Sequence, residues 1–252
     1  MVCNGQLPFL MFKAAFGRFY FSEGVMKKKV VISWSSGKDS TLTLLRLMEN
    51  PDYQVVGLYT TYVDNEVPFQ ATPLAVVEMQ AQLLNLPLIK IALPQFFPSN
   101  EVYQQTIVRA LQASSIELDA VAFGDMFCNG IADYRRSYIA PAGWECVFPL
   151  LGESSLDLAH EIIARGIKTI LVTTDGNTLK PDWCGRWYNH ELLASLPANV
   201  DPCGEDGEFH TLVVKAPGFS GEIRLQLTVQ ESDGRFTYQR YNATLLNQHE
   251  RV

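Results

Sequence analysis

The segment Val30-Val31-Ile32-Ser33-Trp34-Ser35-Ser36-Gly37-Lys38-Asp39-Ser40 decides the fold class of this chain. Its first five residues form an apolar, β-branched run that predicts a buried strand, and the leucines of 41–48 predict a helix directly after it. Small hydroxyl residues and Gly37 in the intervening turn let backbone N–H groups converge at the positive end of that helix. The turn is therefore predicted to bind an anion such as a phosphate.

The same alternation of strand and helix continues to residue 173. Further strands are predicted at 54–62, 87–92, 120–123, 146–148 and 168–173, and further helices at 73–84, 100–113, 128–140 and 156–165. Each strand–helix–strand unit must return over the sheet in the same hand, which makes neighbouring strands parallel. The sequence therefore predicts an α/β fold, a doubly wound and mostly parallel sheet with helices on both faces.

The pattern changes after residue 174. Turn-forming residues accumulate, and a short helix (189–196) and three strands (210–215, 222–230, 235–241) follow. We predict two units, a sheet domain over residues 26–174 and a smaller lobe over 175–241 that closes over it. Residues 242–252 are predicted to be a polar tail, and residues 1–25 an extension outside the fold.

Composition excludes several classes of protein. The 252 residues carry 20 Lys and Arg against 27 Asp and Glu, a net charge of −7, which disfavours binding of long nucleic acid through its phosphates. Charges such as Lys13 and Arg18 interrupt the apolar N-terminal segment before it could span a bilayer. Five scattered cysteines favour a reducing compartment over a disulfide framework, so we expect a cytoplasmic protein without membrane contact.

The anion-binding turn differs from two common nucleotide motifs. It is not a Walker A loop, because Asp39 follows Lys38 where that motif requires Ser or Thr. It is not a dinucleotide-binding turn either, because Gly-x-Gly-x-x-Gly is absent. The alternative is a tight turn with Ser40 or Asp39 near the helix cap. We favour phosphate binding, because Lys38 and Asp39 serve no packing purpose at that position. If the middle of the turn requires a positive φ, Ser36 would be strained there.

A second group of polar residues lies near the C-terminus, in Cys203-Gly204-Glu205-Asp206-Gly207-Glu208-Phe209-His210-Thr211. A glycine-rich loop here runs into a strand and presents three acids and a histidine. Such a group can bind a metal, orient an amine or transfer a proton. The alternative is an ordinary turn followed by a hydrogen-bonded strand histidine.

The order strand, Ser-x-Gly-Lys-Asp-Ser, helix resembles the pyrophosphate (PP) loop of the N-type ATP pyrophosphatases, which cleave ATP between the α and β phosphates. Together with Gly-Glu-x-Gly-Glu-Phe-His-Thr at 204–211, it resembles the diphthine–ammonia ligase family. Four intermediate stretches agree: Phe123-Gly124-Asp125, Asp133-Tyr134-Arg135-Arg136, Pro149-Leu150 and Trp183-Cys184-Gly185-Arg186. The resemblance implies an adenine-nucleotide α-hydrolase-like fold. It also implies amidation of the diphthine carboxylate on elongation factor two with ATP and ammonium, releasing AMP and pyrophosphate.

The resemblance also implies roles for the residues of the turn and of the strand end that follows Gly124. The phosphates would be held by Ser35, Ser36, Gly37, Lys38 and Ser40, with Lys38 as a mobile cation that offsets charge on the departing pyrophosphate. Asp39 would help to hold Mg²⁺, which prefers oxygen ligands. Asp125 would face substrate or magnesium, or alternatively would cap a helix.

On the acceptor side, the resemblance implies that Glu205, Glu208 and His210 receive the acceptor carboxylate or ammonium. One of them would deprotonate ammonium, and the sequence leaves open which one. Arg135 and Arg136 would pair with a phosphate or an acidic acceptor, or would alternatively form a solvated helix face.

Alternative functions stay open at this point. The same chemistry would act on another small carboxylate if the chain is bacterial, because bacteria have no diphthamide. A non-catalytic adenine-nucleotide binding module would explain the turn but not residues 204–211. Sulfur insertion into transfer RNA is disfavoured, because the chain lacks Cys-x-x-Cys and is acidic. The expected partners are ATP, ammonium and a protein or small-molecule carboxylate, and a homodimer is left open.

Overall fold

In the computed structural model of this chain, residues 26–127 and 129–247 are described. The strands are β1 (Lys28–Ser33), β2 (Tyr53–Tyr62), β3 (Glu66–Val67), β4 (Thr72–Pro73), β5 (Leu88–Ala92), β6 (Ala120–Ala122), β7 (Glu145–Val147), β8 (Lys168–Asp175), β9 (Phe209–Lys215), β10 (Gly221–Ser232) and β11 (Phe236–Asn247). The helices are α1 (Lys38–Glu49), α2 (Leu74–Leu84), α3 (Asn100–Ala113), α4 (Ile131–Ile139), α5 (Ser155–Ala164) and α6 (His190–Ser195). The extension predicted at 1–25 lies outside the described residues.

Two sheets organise these elements. Five strands form a parallel sheet in the order β5-β2-β1-β6-β7, and four form a second, antiparallel sheet in the order β10-β11-β8-β9. The central position of β1 places the turn after it at the carboxyl edge of the parallel sheet, where open α/β sheets bind ligands. The predicted α/β class, with a smaller C-terminal lobe, is confirmed.

Helices cover both faces of the parallel sheet, as predicted. On one face, Val30 and Ile32 of β1 pack with residues of α1 and α2. On the other face, Val31 packs with residues of α3 and α4. Because successive strand residues point to opposite faces, the buried run of β1 supplies both layers.

The antiparallel sheet packs on the outer side of α1 and α2. These helices contribute Leu42, Leu45, Val76 and Leu83 to the same core as β8, β9 and α5. They therefore lie between the two sheets. This layering brings the amino end of β9 against the beginning of α1, the arrangement on which the site depends.

Two details of the predicted arrangement are wrong. The strand predicted at 168–173 is present as β8, but it lies between β11 and β9 in the antiparallel sheet and not in the parallel one. The polar tail predicted from residue 242 is, as far as Asn247, the second half of β11, where Asn242 pairs with Gln226 and Leu246 with Glu222. Residues 248–252 lie outside the described part of the chain.

A short hairpin that the sequence did not predict lies beside the parallel sheet. The strands β3 and β4 pair antiparallel, and Phe69 and Ala71 between them both have positive φ, 66° and 48°. The strained connection carries Gln70 to the turn after β1. Within 26–127 and 129–247, no helix is long and apolar enough to cross a membrane.

Candidate active site

The turn after β1 forms one wall of a cavity of about 220 Å³. Helix α1 begins at Lys38, and its N-cap Gly37 offers no side-chain hydrogen bond to the first turn. The hydroxyls of Ser40 and Thr41 instead donate back to the Gly37 carbonyl, at 3.0 and 2.9 Å. Residues 37–40 line the cavity, so the positive end of the helix opens into it.

Ser36 takes the backbone conformation that glycine prefers. Its φ is 72°, and the residue is fully buried. Its hydroxyl lies 3.1 Å from Gln70 Oε1 and 3.2 Å from Thr72 Oγ1, while its carbonyl accepts hydrogen bonds from the Val213 backbone and the Gln80 side chain. These contacts hold a strained turn in one geometry.

Strand β9 is fastened to the same turn. Thr211 Oγ1 accepts a hydrogen bond from the Lys38 backbone N–H at 3.2 Å. A Cβ atom at Gly37 would lie 3.2 Å from the Thr211 carbonyl oxygen, so a larger residue would push the two segments apart. The segment 203–211 predicted to carry chemistry is thereby brought to the predicted phosphate turn, and both line the one cavity.

Lys38 is enclosed by protein. Its Nζ donates to Asp39 Oδ2 at 2.8 Å and to the Cys203 carbonyl, and the ring centroids of Tyr188 and Phe209 lie 5.9 and 5.5 Å from it. Burial is the largest influence and acts to lower the pKa of Lys38, but Asp39, Cys203 and Glu205 together outweigh it, and the pKa lies above its ordinary value. The ammonium is charged at neutral pH and has two acceptors inside the protein.

Three carboxyl groups face the cavity, those of Asp39, Asp125 and Glu205. Burial raises the pKa of Asp39, and Lys38 opposes that rise. Burial also raises the pKa of Glu205 to about 8, and the charges on Asp39 and Asp125 add to the rise. Glu205 therefore exchanges its proton near neutral pH, as a general base or acid must.

Of these three groups, the Asp39 carboxylate is suited to hold a magnesium ion. Within the described residues, Asp39 Oδ1 is buried and has no hydrogen-bond partner, although its other oxygen pairs with Lys38. No three His, Cys, Asp or Glu side chains in 26–127 and 129–247 form a complete metal cage. Mg²⁺ usually takes one or two carboxylates and completes its shell with water and substrate phosphates, so this donor set suits it.

His210 and Glu208 occupy different environments. His210 lines the cavity, and burial together with the charge on Lys38 lowers its pKa to about 4, so the imidazole is neutral at pH 7. Glu208 is not part of the cavity wall. Its Oε1 accepts the Asp201 backbone N–H at 2.8 Å, and the residue is 3% exposed. Glu208 thus braces the base of the 203–207 loop.

The two arginines of α4 also separate. Arg135 lines the cavity, donates to Asp125 Oδ2 at 3.1 Å and stacks on Phe123 with its guanidinium carbon 4.9 Å from the ring centroid. Arg136 instead pairs with Asp133 at the surface. Asp125 does not cap a helix, because α4 begins at Ile131 with Gly130 as its N-cap.

A larger cavity of about 620 Å³ adjoins the first. The two share Ser33, Ser35, Gln70 and Arg135. Six aromatic residues contribute to the rest of its wall: Trp34, Phe69, Phe96, Phe97, Tyr103 and Tyr134. A polar pocket next to an aromatic one suits a ligand with a charged end and a flat apolar end.

Two lining residues and one residue behind the cavity were not predicted. Gln70, which lines the cavity, belongs to the unpredicted hairpin, and Thr211, which also lines it, received no role although it ends the motif at 204–211. Tyr188 packs beside the Lys38 ammonium and also received no role. Of these residues, only Gln70 could have been found from the sequence, because Asp64 and Asn65 before it are residues typical of a hairpin turn. The thiols of Cys184 and Cys203 are buried, and burial raises their pKa values to about 11 and about 12. Neither thiol is activated.

The turn at the central parallel strand and the carboxylate-bearing segment 203–211 line one cavity. The fold that positions them is α/β, a parallel five-stranded sheet with an added antiparallel lobe. Residues 154–244 match the family model of the diphthamide synthase C-terminal domain. The chain is also 24% identical to the diphthine–ammonia ligase of Schizosaccharomyces pombe, in a match covering 85% of this chain. The resemblance to the diphthine–ammonia ligase family is confirmed by both comparisons.

The same match covers 39% of the yeast protein, so the chain spans about two fifths of that relative's length. Two solved structures are similar. One is the U34-tRNA thiolase NcsA of Methanococcus maripaludis, with 15% identity, a TM-score of 0.36, and coverage of 56% of this chain and 59% of that one. The other, described as a predicted subunit of tRNA methyltransferase, is from Methanocaldococcus jannaschii, with 16% identity, a TM-score of 0.41, and coverage of 75% and 98%.

Proposed function

We propose that the chain is an ATP-dependent carboxylate–ammonia ligase that releases AMP and pyrophosphate. One observation carries the proposal: the open helix end after β1 and the carboxylate-bearing 203–211 segment line the same cavity. Relatedness to a diphthine–ammonia ligase supports the same class. ATP, ammonium and a carboxylate are the proposed partners, and the cytoplasm is the proposed location.

The nucleotide would span the two adjoining cavities. Its phosphates would accept hydrogen bonds from the backbone amides at the start of α1 and from the hydroxyls of Ser35 and Ser40. Its adenine would occupy the aromatic cavity, where ring stacking favours a flat base. Arg135, which lines both cavities, would lie beside the α phosphate and balance charge there.

The acceptor would approach through a third cavity. This open cavity of about 440 Å³ shares Asp125 and Glu205 with the phosphate cavity and Ile131 and Tyr134 with the aromatic one. A carboxylate there would lie where the two nucleotide cavities meet, beside the proposed position of the α phosphate. Mg²⁺, with Asp39 as a ligand, would reduce the negative charge on the phosphates.

The reaction would proceed in two displacements. First, an acceptor carboxylate oxygen bonds to the α phosphorus, the bond from that phosphorus to the bridging oxygen breaks, and pyrophosphate leaves. Ammonia then bonds to the acceptor carbon, the bond from that carbon to the oxygen shared with AMP breaks, and AMP leaves with that oxygen. The nitrogen loses one proton to solvent, which gives the amide. The positive helix end would stabilise charge on the phosphates in both steps.

Glu205 is the proposed base. Ammonium must lose a proton before its lone pair can attack, and a carboxylate with a pKa of about 8 accepts that proton more readily than an imidazole with a pKa of about 4. His210 would then act as a neutral hydrogen-bonding group beside the acceptor. Glu208 would keep the loop that carries Glu205 in place.

Two alternatives are retained. The first is the same reaction on a different carboxylate. It would use every feature of the site, because the described cavity walls do not specify one acceptor. A non-catalytic nucleotide module would use the turn and the aromatic cavity but not the raised pKa of Glu205. The position of Glu205 on the wall of the same cavity as the turn is the observation that favours an enzyme.

The test is product identity. The protein is incubated with labelled ATP, Mg²⁺, ¹⁵N-ammonium and a panel of carboxylates, including diphthine-bearing protein, and products are separated by chromatography. The proposal expects AMP, pyrophosphate and a ¹⁵N-amide, with amide lost in Glu205→Gln and kept in the surface control Glu101→Gln. ADP as the product, or tight nucleotide binding without turnover, would refute it.

A further inference from the structure

The ammonium of Lys38 is held by the C-terminal lobe. The side chain is 3% exposed, and its Nζ has two protein acceptors, Asp39 Oδ2 at 2.8 Å and the Cys203 carbonyl oxygen. Two aromatic rings, of Tyr188 and Phe209, close the space around it. A lysine has three N–H donors, so two are committed inside the protein.

The acceptor of the second hydrogen bond belongs to the loop that carries Glu205. Asp201 Oδ1 accepts the backbone N–H groups of Cys203 and Glu205, at 2.8 and 3.2 Å, so the loop moves as one turn around that carboxylate. Gly204 between them has a φ of 71° and packs against Phe209, where a Cβ would lie 2.8 Å from a carbonyl oxygen. Displacing the Cys203 carbonyl would therefore displace Glu205.

Another cation is better placed to meet phosphate. Arg135 is 17% exposed, against 3% for Lys38, and lines both the polar and the aromatic cavity. Its only side-chain ion pair in the described residues is with Asp125 at the cavity wall. Arg135 can therefore balance the negative charge of the nucleotide phosphates while Lys38 keeps its contacts.

We propose that Lys38 is a positioning residue that ties the phosphate turn to the 203–207 loop, and that its ammonium stays on the Cys203 carbonyl when nucleotide binds. The start of α1 and the loop that bears Glu205 then form one unit, so that the nucleotide and the group that receives the proton keep a fixed separation. The roles of the two segments in nucleotide binding and proton transfer rest on the proposed function. The tie between them rests on the hydrogen bond from Lys38 Nζ to the Cys203 carbonyl.

Hydrogen exchange of the wild-type protein tests the tie without a substitution. The amides of Cys203, Gly204, Glu205 and Gly207 all donate within the loop, so their exchange reports loop opening. With α,β-methylene-ATP and Mg²⁺, the inference expects these amides to stay protected or to gain protection. If Lys38 instead swings to the phosphates, nucleotide will speed their exchange, and the inference fails.

Three variants separate positioning from phosphate binding. In Lys38→Met, loop exchange should rise about tenfold or more, while nucleotide affinity and the KM for ATP stay within about threefold and kcat for amide falls. Arg135→Gln should do the reverse, weakening nucleotide binding about tenfold with loop exchange unchanged. Lys90→Met, a surface control paired with Glu78, should change neither.

Loss of nucleotide binding in Lys38→Met with an unchanged loop would overturn the inference. If that variant does not fold, the wild-type comparison still decides. Failure of the proposed function would give a different result, namely that no carboxylate yields AMP or amide. The hydrogen-exchange comparison would still report on Lys38 in that case, because it requires only that nucleotide binds.

Discussion

Replacing Glu205 by Gln should make the protein more stable at alkaline pH than the wild type. Burial, aided by Asp39 and Asp125, raises the pKa of Glu205 in the folded protein to about 8, against 4.5 in the unfolded chain. Between these values the folded state holds a proton that the unfolded chain has lost, so the free energy of unfolding falls as pH rises through this window. Gln has the same shape and no proton to lose.

The magnitude follows from the two pKa values. The stability difference between Glu205→Gln and wild type should be constant below pH 4.5 and grow by about 1.4 kcal/mol per pH unit above it. Above pH 8 it should level off at a gain of at most about 5 kcal/mol. Urea unfolding at a series of pH values from 4 to 9, followed by tryptophan fluorescence, measures it.

Glu117→Gln is the matched control of opposite sign. Glu117 is exposed, and the hydrogen bond from Lys29 lowers its pKa, so its loss should remove stability at high pH instead of adding it. A difference for Glu205→Gln that stays flat from pH 5 to 9 would refute the reasoning, and with it the choice of Glu205 as the base.

Three further predictions concern other parts of the site. Ser36→Ala should lose about 1–3 kcal/mol of stability, because the hydroxyl contact to Gln70 is lost. Ser36→Gly should be about 1 kcal/mol more stable than the alanine variant, because φ at this position is positive. Thermal unfolding that shows the reverse order would contradict this prediction. Glu208→Gln should lose about 1–3 kcal/mol by weakening the bond to Asp201 but keep its nucleotide affinity in calorimetry, and the opposite pattern would place Glu208 in the cavity. Asp39→Asn should bind nucleotide equally with Mg²⁺ and with EDTA, whereas the wild type should bind more tightly with Mg²⁺; an unchanged Mg²⁺ effect would remove Asp39 as a ligand.

The parallel sheet was predictable because the chain repeats one unit. The helix predicted at 100–113 is α3 residue for residue, and its N-cap Ser99 accepts the Val102 N–H. The sheet to which β8 belongs was not predictable. A fully buried run such as Thr169–Asp175 has the same composition whether its neighbours are parallel or antiparallel, because both faces are covered.

For the site, the sequence predicted which segments meet but not how their side chains turn. Glu205, Glu208 and His210 are close in sequence, and no regular period relates them because the first two lie in a turn before β9 begins at Phe209. The structure turns Glu208 to the loop base and places the other two in the cavity. The burial of Lys38 depends on Tyr188 and Cys203, which are far from it in sequence.

In the proposed complex, the turn after β1 and the 203–211 segment hold opposite sides of one ATP molecule. A crystal structure with α,β-methylene-ATP and Mg²⁺ measures this directly. We expect the triphosphate at the start of α1, the adenine among the aromatic residues of the larger cavity, and Glu205 facing the α phosphate. A nucleotide bound elsewhere, or phosphates turned away from the start of α1, would contradict it.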